Sequence, residues 1–305
     1  MGEVISIVNR KGGVGKTTLT VGLAEALVSD RENSIVVVDL DPQASATHML
    51  SDDDEHYGVI TAEKRNLVGY FENSALPLAE RVEKVLVRDR HSIKKRSDVR
   101  LDLIGNSDEF WDLEAHRLRQ NAVNAHKQDL NQLLGYLRKQ FDYVLIDCPP
   151  GQSISAEAAL QASDLILCPI TPDKMALWGK DLLTKYVGRV APDRIMRFVV
   201  TRAIFNTTLA ADMFVEIDQH DDMLPADEGV FRFSYFSQSA HVTRRLTIDK
   251  PNRTLEQLWG KQAARELRQI MRQVEKTLLE SRKPVEAEVT ANPYSEQLSQ
   301  PSSPF

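Results

Sequence analysis

The sequence predicts an open α/β fold: a doubly wound, mostly parallel twisted sheet with helices on both faces. Three observations carry this. A short β-branched run, Val4-Ile5-Ser6-Ile7-Val8, leads into a glycine-rich segment and then a helical pattern in which Leu19, Leu23, Leu27 and Val28 return near a period of 3.6. Further apolar runs at 34–38, 100–104, 141–147, 165–169 and 196–202 are separated by polar, helix-forming stretches, and strands alternating with helices call for parallel crossover connections. Aspartates close two of these runs, Asp39 and Asp41 after the second and Asp147 after the fourth, at the carboxyl ends where open α/β sheets bind ligands.

The first segment after the opening strand is Asn9-Arg10-Lys11-Gly12-Gly13-Val14-Gly15-Lys16-Thr17-Thr18. Strand, glycine-rich loop and helix together bind phosphate. The glycines let backbone N–H groups curl around the oxygens, and the helix N-terminus adds unsatisfied donors and the positive end of its dipole. In that arrangement Lys16 meets the β- and γ-phosphates and the Thr17 hydroxyl meets Mg²⁺. The generic pattern places glycine six residues before the lysine; here position 10 is arginine, and a second lysine, Lys11, stands at the front of the loop. This run, KGGVGKTT, resembles the deviant phosphate loop of the ParA/MinD superfamily of P-loop NTPases. The resemblance implies that Lys11, Gly12, Gly13, Val14, Gly15, Lys16, Thr17 and Thr18 bind ATP. It also implies a homodimer with ATP sandwiched between two subunits, Lys16 serving its own nucleotide and Lys11 the partner's.

After the second strand the chain reads Asp39-Leu40-Asp41-Pro42-Gln43-Ala44-Ser45. On its own a DxD after a strand is equally a helix cap. Beside the loop above it matches the superfamily's DxDPQ segment, which implies that Asp41 positions or activates the attacking water and is a further candidate for the metal. Ser51–Glu55 reads as an exposed acidic turn, and Leu78–Val87 as a short amphipathic helix entered through Pro77. Between Arg88 and Arg100 six cations gather; a solvated loop explains them more simply than a DNA contact. Glu109–Gln140 holds one or two helices around Leu130, Leu133, Leu134 and Leu137.

The run ending in Asp147-Cys148-Pro149-Pro150-Gly151 resembles a Walker B strand with a mobile loop behind it. That implies Asp147 holds Mg²⁺ through water, although a strand-end aspartate also caps helices. Asp173–Val187 reads as a helix, and Pro169-Ile170-Thr171-Pro172 followed by Ala176-Leu177-Trp178-Gly179 resembles the ParA pattern PxxPxxxALxG. Farther on, Phe233–Arg245 has serine and glutamine where the family has proline and arginine, so the adenine contacts do not carry over.

The last helix is expected from Thr254 to Glu280. Leu267, Ile270, Met271, Val274 and Leu278 form its apolar stripe, while Lys261, Arg265, Arg268, Arg272 and Lys276 recur at spacings of three and four on the opposite side. Solvated faces usually mix charge signs at i,i+4, because like charges there repel. A largely unmixed cationic stripe, with Glu275 at its edge, fits a polyanion, and Arg244 and Arg245 extend it as candidate DNA-binding residues. The whole chain of 305 residues carries a formal net charge of −6, so any DNA contact has to be local.

Residues 1–282 are expected to form one ATPase domain. Residues 283–305, rich in proline, serine and glutamine, read as a disordered tail with no apolar face for a membrane. The first strand starts within a few residues of Met1, which leaves no room for a signal peptide or a preceding helix-turn-helix. Cys148 and Cys168 fit neither a CxxC nor a disulfide framework. A cytoplasmic location follows, on the nucleoid when ATP is bound. The expected function is that of a ParA-like DNA partition or cargo-positioning ATPase, its hydrolysis stimulated by a ParB-like or other adaptor. Two alternatives stand beside it: a metabolic or reductase component on the same fold, and a MinD-like membrane-recruited switch.

Overall fold

The computed structural model describes residues 1–31, 33–51, 54–89, 99–203, 208–226, 235–237 and 253–282. The first half runs β1 (Glu3–Ile7), α1 (Lys16–Asp30), β2 (Ile35–Asp39), α2 (Ser45–Leu50), α3 (Asp54–Ala62), α4 (Leu67–Glu72), α5 (Leu78–Val85), β3 (Leu101–Ile104), α6 (Glu109–Arg119) and α7 (Val123–Leu137). The second half runs β4 (Tyr143–Asp147), α8 (Ile154–Ala162), β5 (Leu165–Ile170), α9 (Lys174–Val190), β6 (Ile195–Ala203), α10 (Thr208–Ile217), β7 (Tyr235–Ser237), α11 (Leu255–Trp259) and α12 (Lys261–Ser281).

The seven strands form one sheet in the order β3-β2-β4-β1-β5-β6-β7, and every pairing is parallel. The central strands are buried on both faces, and their side chains alternate between two cores. Val4, Val36, Val38, Val144, Ile146 and Ile166 face α7, α8 and α9, whereas Ile5, Ile7, Ile35, Val37, Leu145 and Leu165 face α1 and α12. Period-two alternation in strands covered on both sides explains why these runs read as continuously apolar.

The predicted single helix at 254–280 is two. Thr254 and Gln257 form a capping box on α11, and Gly260, at φ 81°, breaks the chain before α12 begins. A side chain would be strained there, so glycine sets the boundary. Two helices fill the region 109–140. The helices between 45 and 72 and the one at 154–162 were not expected.

A polar cluster ties α6, α7 and α8 together. The Ser155 hydroxyl donates to Glu114 Oε1 at 2.5 Å, so His126 Nε2, 2.8 Å away, must donate to Ser155. The imidazole is fully buried and stacks on Phe71 with centroids 4.5 Å apart. Burial lowers its pKa to about 4, and the nearby Arg117 charge acts in the same direction.

Candidate nucleotide and phosphate site

Strand register brings the site together. β4 lies between β1 and β2, with Asp147 level with Ile7 on one side and Asp39 on the other. The loop after β1, the aspartates after β2 and the end of β4 therefore share one crevice at the carboxyl edge of the sheet, where the chain reverses its winding.

The loop makes its turn at two glycines. Gly13 has φ 73° and Gly15, the cap of α1, has φ 90°, values that L side chains rarely adopt. Its lysines part company. Lys16 is buried, with Nζ 3.4 Å from the Lys11 carbonyl inside the curl of the loop. Lys11 is half exposed, and its Nζ lies 3.3 Å from Asp173, the cap of α9. Gly12 and Gly13 are exposed, Gly15, Thr17 and Thr18 half-buried, and Val14 is packed inside.

The Thr17 hydroxyl donates to Asp147 at 2.6 Å, and Thr20 donates to the other carboxylate oxygen at 3.3 Å. Asp147 is fully buried; desolvation pushes its pKa up to about 7 against the hydrogen bond from Thr17, with the Asp41 charge raising it further. Asp39 is also fully buried, and desolvation and the Asp147 charge raise its pKa well above the carboxylate range.

The two aspartates of the DxD segment have different partners. Asp39 accepts from the Thr47 amide and hydroxyl, both at 2.8 Å, and so caps the first turn of α2. Asp41 sits in the turn beyond, 8% exposed, and among the described residues its carboxylate accepts a local bond from the Gln43 amide at 3.0 Å.

Among the described residues no cluster of three or more His, Cys, Asp or Glu could hold a metal by itself. What the site offers is the Thr17 hydroxyl oxygen backed by a carboxylate. Its proton goes to Asp147, so its lone pairs are directed away. Hard oxygens in small number suit Mg²⁺, which keeps waters and takes phosphate oxygens for its remaining positions.

The cationic stripe departs from its expected form at Arg268. Lys261, Arg265, Arg272 and Lys276 are exposed on α12, but Arg268 is half-buried between Asp30 at 2.7 Å and Glu256 at 2.5 Å. Its charge is spent inside the molecule. Arg244 and Arg245, most of the segments 88–100 and 233–245, part of the acidic turn and the tail 283–305 lie outside the described residues. Cys148 and Cys168 are buried and free, with thiol pKa values raised by burial, so neither presents a cluster ligand at the surface. No helix among the described residues is long and apolar enough to cross a membrane.

One contact to the loop had no sequence signal. At the end of β6, Thr201 Oγ1 donates to the Val14 carbonyl at 2.6 Å and Arg202 Nη1 donates to the Gly13 carbonyl at 3.1 Å.

Comparison with known proteins agrees with this geometry. A family model described as an AAA domain matches residues 2–197. The chromosome partitioning protein ParA of Myxococcus xanthus is 30% identical over 193 residues, 62% of this chain and 59% of that protein. The sporulation initiation inhibitor protein Soj of Bacillus subtilis is 30% identical over 193 residues, 62% of this chain and 66% of that protein. The matches thus span less than two thirds of these curated relatives. Among solved structures, a putative plasmid partition protein of Borrelia burgdorferi bound to AMPPNP superposes with a TM-score of 0.67 at 24% identity, covering 91% of this chain and all of that one. From a strand register that gathers the glycine-rich loop, Asp39, Asp41 and Asp147 in one crevice, and from a family model that matches residues 2–197, the chain belongs to the AAA-domain family and is a P-loop protein of the ParA/MinD superfamily of ATPases.

Proposed function

We propose that the chain is a ParA-like partition ATPase whose ATP-bound dimer binds DNA without sequence preference and lets go after hydrolysis stimulated by an adaptor. The observation that carries this is the separation of the two loop lysines. One cradle needs one lysine, and Lys16 fills that role from inside. Lys11 stands on the surface, in an exposed ion pair with Asp173. Such a pair is worth at most about 1 kcal/mol and yields readily to a stronger anion.

Next to Asp173, α9 exposes Met175, Trp178 and Leu182 on one stripe, with Trp178 69% exposed. An apolar face beside a surface lysine suits contact with a second subunit. In the dimer Lys11 then reaches the partner's phosphates, as an arginine finger does in trans, and steadies charge that builds during phosphoryl transfer.

Within each subunit Lys16 and the N–H groups of residues 12–18 bind the phosphates. Thr17 and, through water, Asp147 hold Mg²⁺, which neutralises phosphate charge when bound. Asp41 is the carboxylate not consumed by folding, and it orients the attacking water for in-line displacement. The exposed cations of α12 meet phosphate backbones. The structure of the ParA protein of pNOB8 bound to nonspecific DNA, at TM-score 0.66 and 18% identity, has the same fold. In this reading residues 1–282 act as one ATPase unit and 283–305 as its tail.

The test is a pair of variants. Lys16→Ala should abolish ATP binding. Lys11→Ala should bind ATP but fail to dimerise with it in light scattering, and should lose ATP-dependent DNA retention. Dimers formed by Lys11→Ala as readily as by the parent chain would remove the basis of the proposal.

A further inference from the structure

The strand β6 ends irregularly. Val200 and Thr201 pair with Tyr235 and Phe236 of β7, but the next partner of Ser237 is Ala203, so Arg202 is an extra residue bulged out of the ladder. Its φ is +53°, in the left-handed region that glycine enters freely and arginine does not. In a regular strand Thr201 and Arg202 would point to opposite faces. A bulge re-aims a side chain, and here both residues turn to the same loop. Thr201 takes the Val14 carbonyl, and Arg202 takes the Gly13 carbonyl one residue earlier.

The effect on the loop follows from peptide geometry. In a trans peptide the C=O and the N–H of the next residue point opposite ways. Tying the Gly13 and Val14 carbonyls outward to β6 turns the N–H groups of Val14 and Gly15 inward, to the hollow where phosphate would lie. Lys16 acts on the opposite side, its Nζ meeting the Lys11 carbonyl from inside the loop. Thr201 is buried, and Gly15 lies against it, a Cβ there standing 3.7 Å from Thr201 Cβ. Arg202 is exposed, so core packing does not account for an arginine in a conformation suited to glycine.

We infer that Arg202 is a positioning residue for the phosphate loop: the β6 bulge aims its guanidinium at Gly13 and holds the loop's N–H groups ready for phosphate before the nucleotide arrives. The inference rests on reading residues 9–18 as the nucleotide's phosphate cradle. A clamp on the loop carbonyls acts on every nucleotide that uses the cradle, whereas a direct contact to the terminal phosphate would favour ATP alone.

The experiment measures ATP and ADP affinity by fluorescence titration, together with the thermal midpoint, for the full chain and for R202G, R202K and K16A. R202G removes the clamp and relieves the backbone. Its thermal midpoint should hold within about 2 °C, while ATP and ADP both bind about tenfold more weakly, the size of one lost charge-assisted hydrogen bond. R202K should recover only part of the loss, since an ammonium on a flexible stem lacks the guanidinium's planar fork. A merely structural residue would lose stability and affinity together. If K16A loses nucleotide while R202G binds as the parent chain does, the inference falls and the cradle stands. A loss in R202G confined to ATP overturns the clamp as well. If K16A itself binds undiminished, the cradle reading fails and Arg202 goes with it.

Discussion

Thr17 and Asp147 are joined by a 2.6 Å hydrogen bond that ties the first turn of α1 to the end of β4. The two residues are 130 positions apart in sequence, yet the parallel pairing of β1 with β4 makes their meeting unavoidable.

This bond gives the metal-dependent half of the site a direct test. Thr17→Ala keeps the loop backbone but removes the oxygen assigned to Mg²⁺. ATP affinity measured with Mg²⁺ should fall at least about tenfold, the scale of losses around bound metals. Affinity in the presence of a chelator should change little, and Thr17→Ser should restore the difference. Equal losses with and without metal would make Thr17 a structural residue.

Asp41 should separate binding from turnover. Asp41→Ala is expected to bind ATP and remain a dimer in light scattering, while hydrolysis drops by about 100-fold or more, as befits a group that handles the attacking water. Unchanged turnover would give the role to another residue.

The cations of α12 should split into two classes. Reversing Lys261, Arg265 and Lys276 to glutamate should weaken DNA retention and flatten its salt dependence, with no change in thermal midpoint. Arg268→Ala should do the reverse. It breaks two partly buried ion pairs, together worth about 1–2 kcal/mol, or a few degrees in midpoint for a chain of this size. DNA binding lost through Arg268→Ala at unchanged stability would contradict this division.

His126 predicts a limb of the pH–stability curve. Its folded pKa of about 4 lies below the ordinary value of 6.5, so between those limits the unfolded chain binds the proton and the native chain does not. Stability conferred by the neutral ring is therefore complete above about pH 6.5 and declines as pH falls towards 4, by about 3 kcal/mol at most. Denaturant titrations of His126→Gln should show a flatter slope than the parent chain across that window. Parallel slopes would show that His126 takes up its proton without cost in the folded state.

Much of this was legible in the chain. Buried parallel strands announce themselves as β-branched runs, and the glycines of the loop from Lys11 to Thr18 announce the tight turn that leads into α1. The helices α2, α3 and α4 were not legible: α2 and α4 are six residues long, too short for a periodic signal, and the nine-residue α3 buries only Ile60 and so lacks the apolar stripe that marks α5. The first of them is capped by Asp39 from a neighbouring strand rather than by a residue at its own start. The break at Gly260 was hidden because apolar residues continue in phase on both sides of it. Spacing put Arg268 in the cationic stripe, but its partner Asp30 is 238 residues away, and no local pattern can show a charge arriving from there. Arg202 was invisible for a similar reason: it reads as a polar residue at the end of a strand, after Thr201, and only the bulge turns it towards the loop.

The helix α1 starts at the phosphate loop and runs fifteen residues, a rod of about 22 Å. At its far end Asp30 grips Arg268 and the following Arg31 grips Glu275, both on α12. One stiff rod thus joins the glycine-rich loop to the helix that presents Lys261, Arg265 and Lys276 to solvent, on a single face of the sheet.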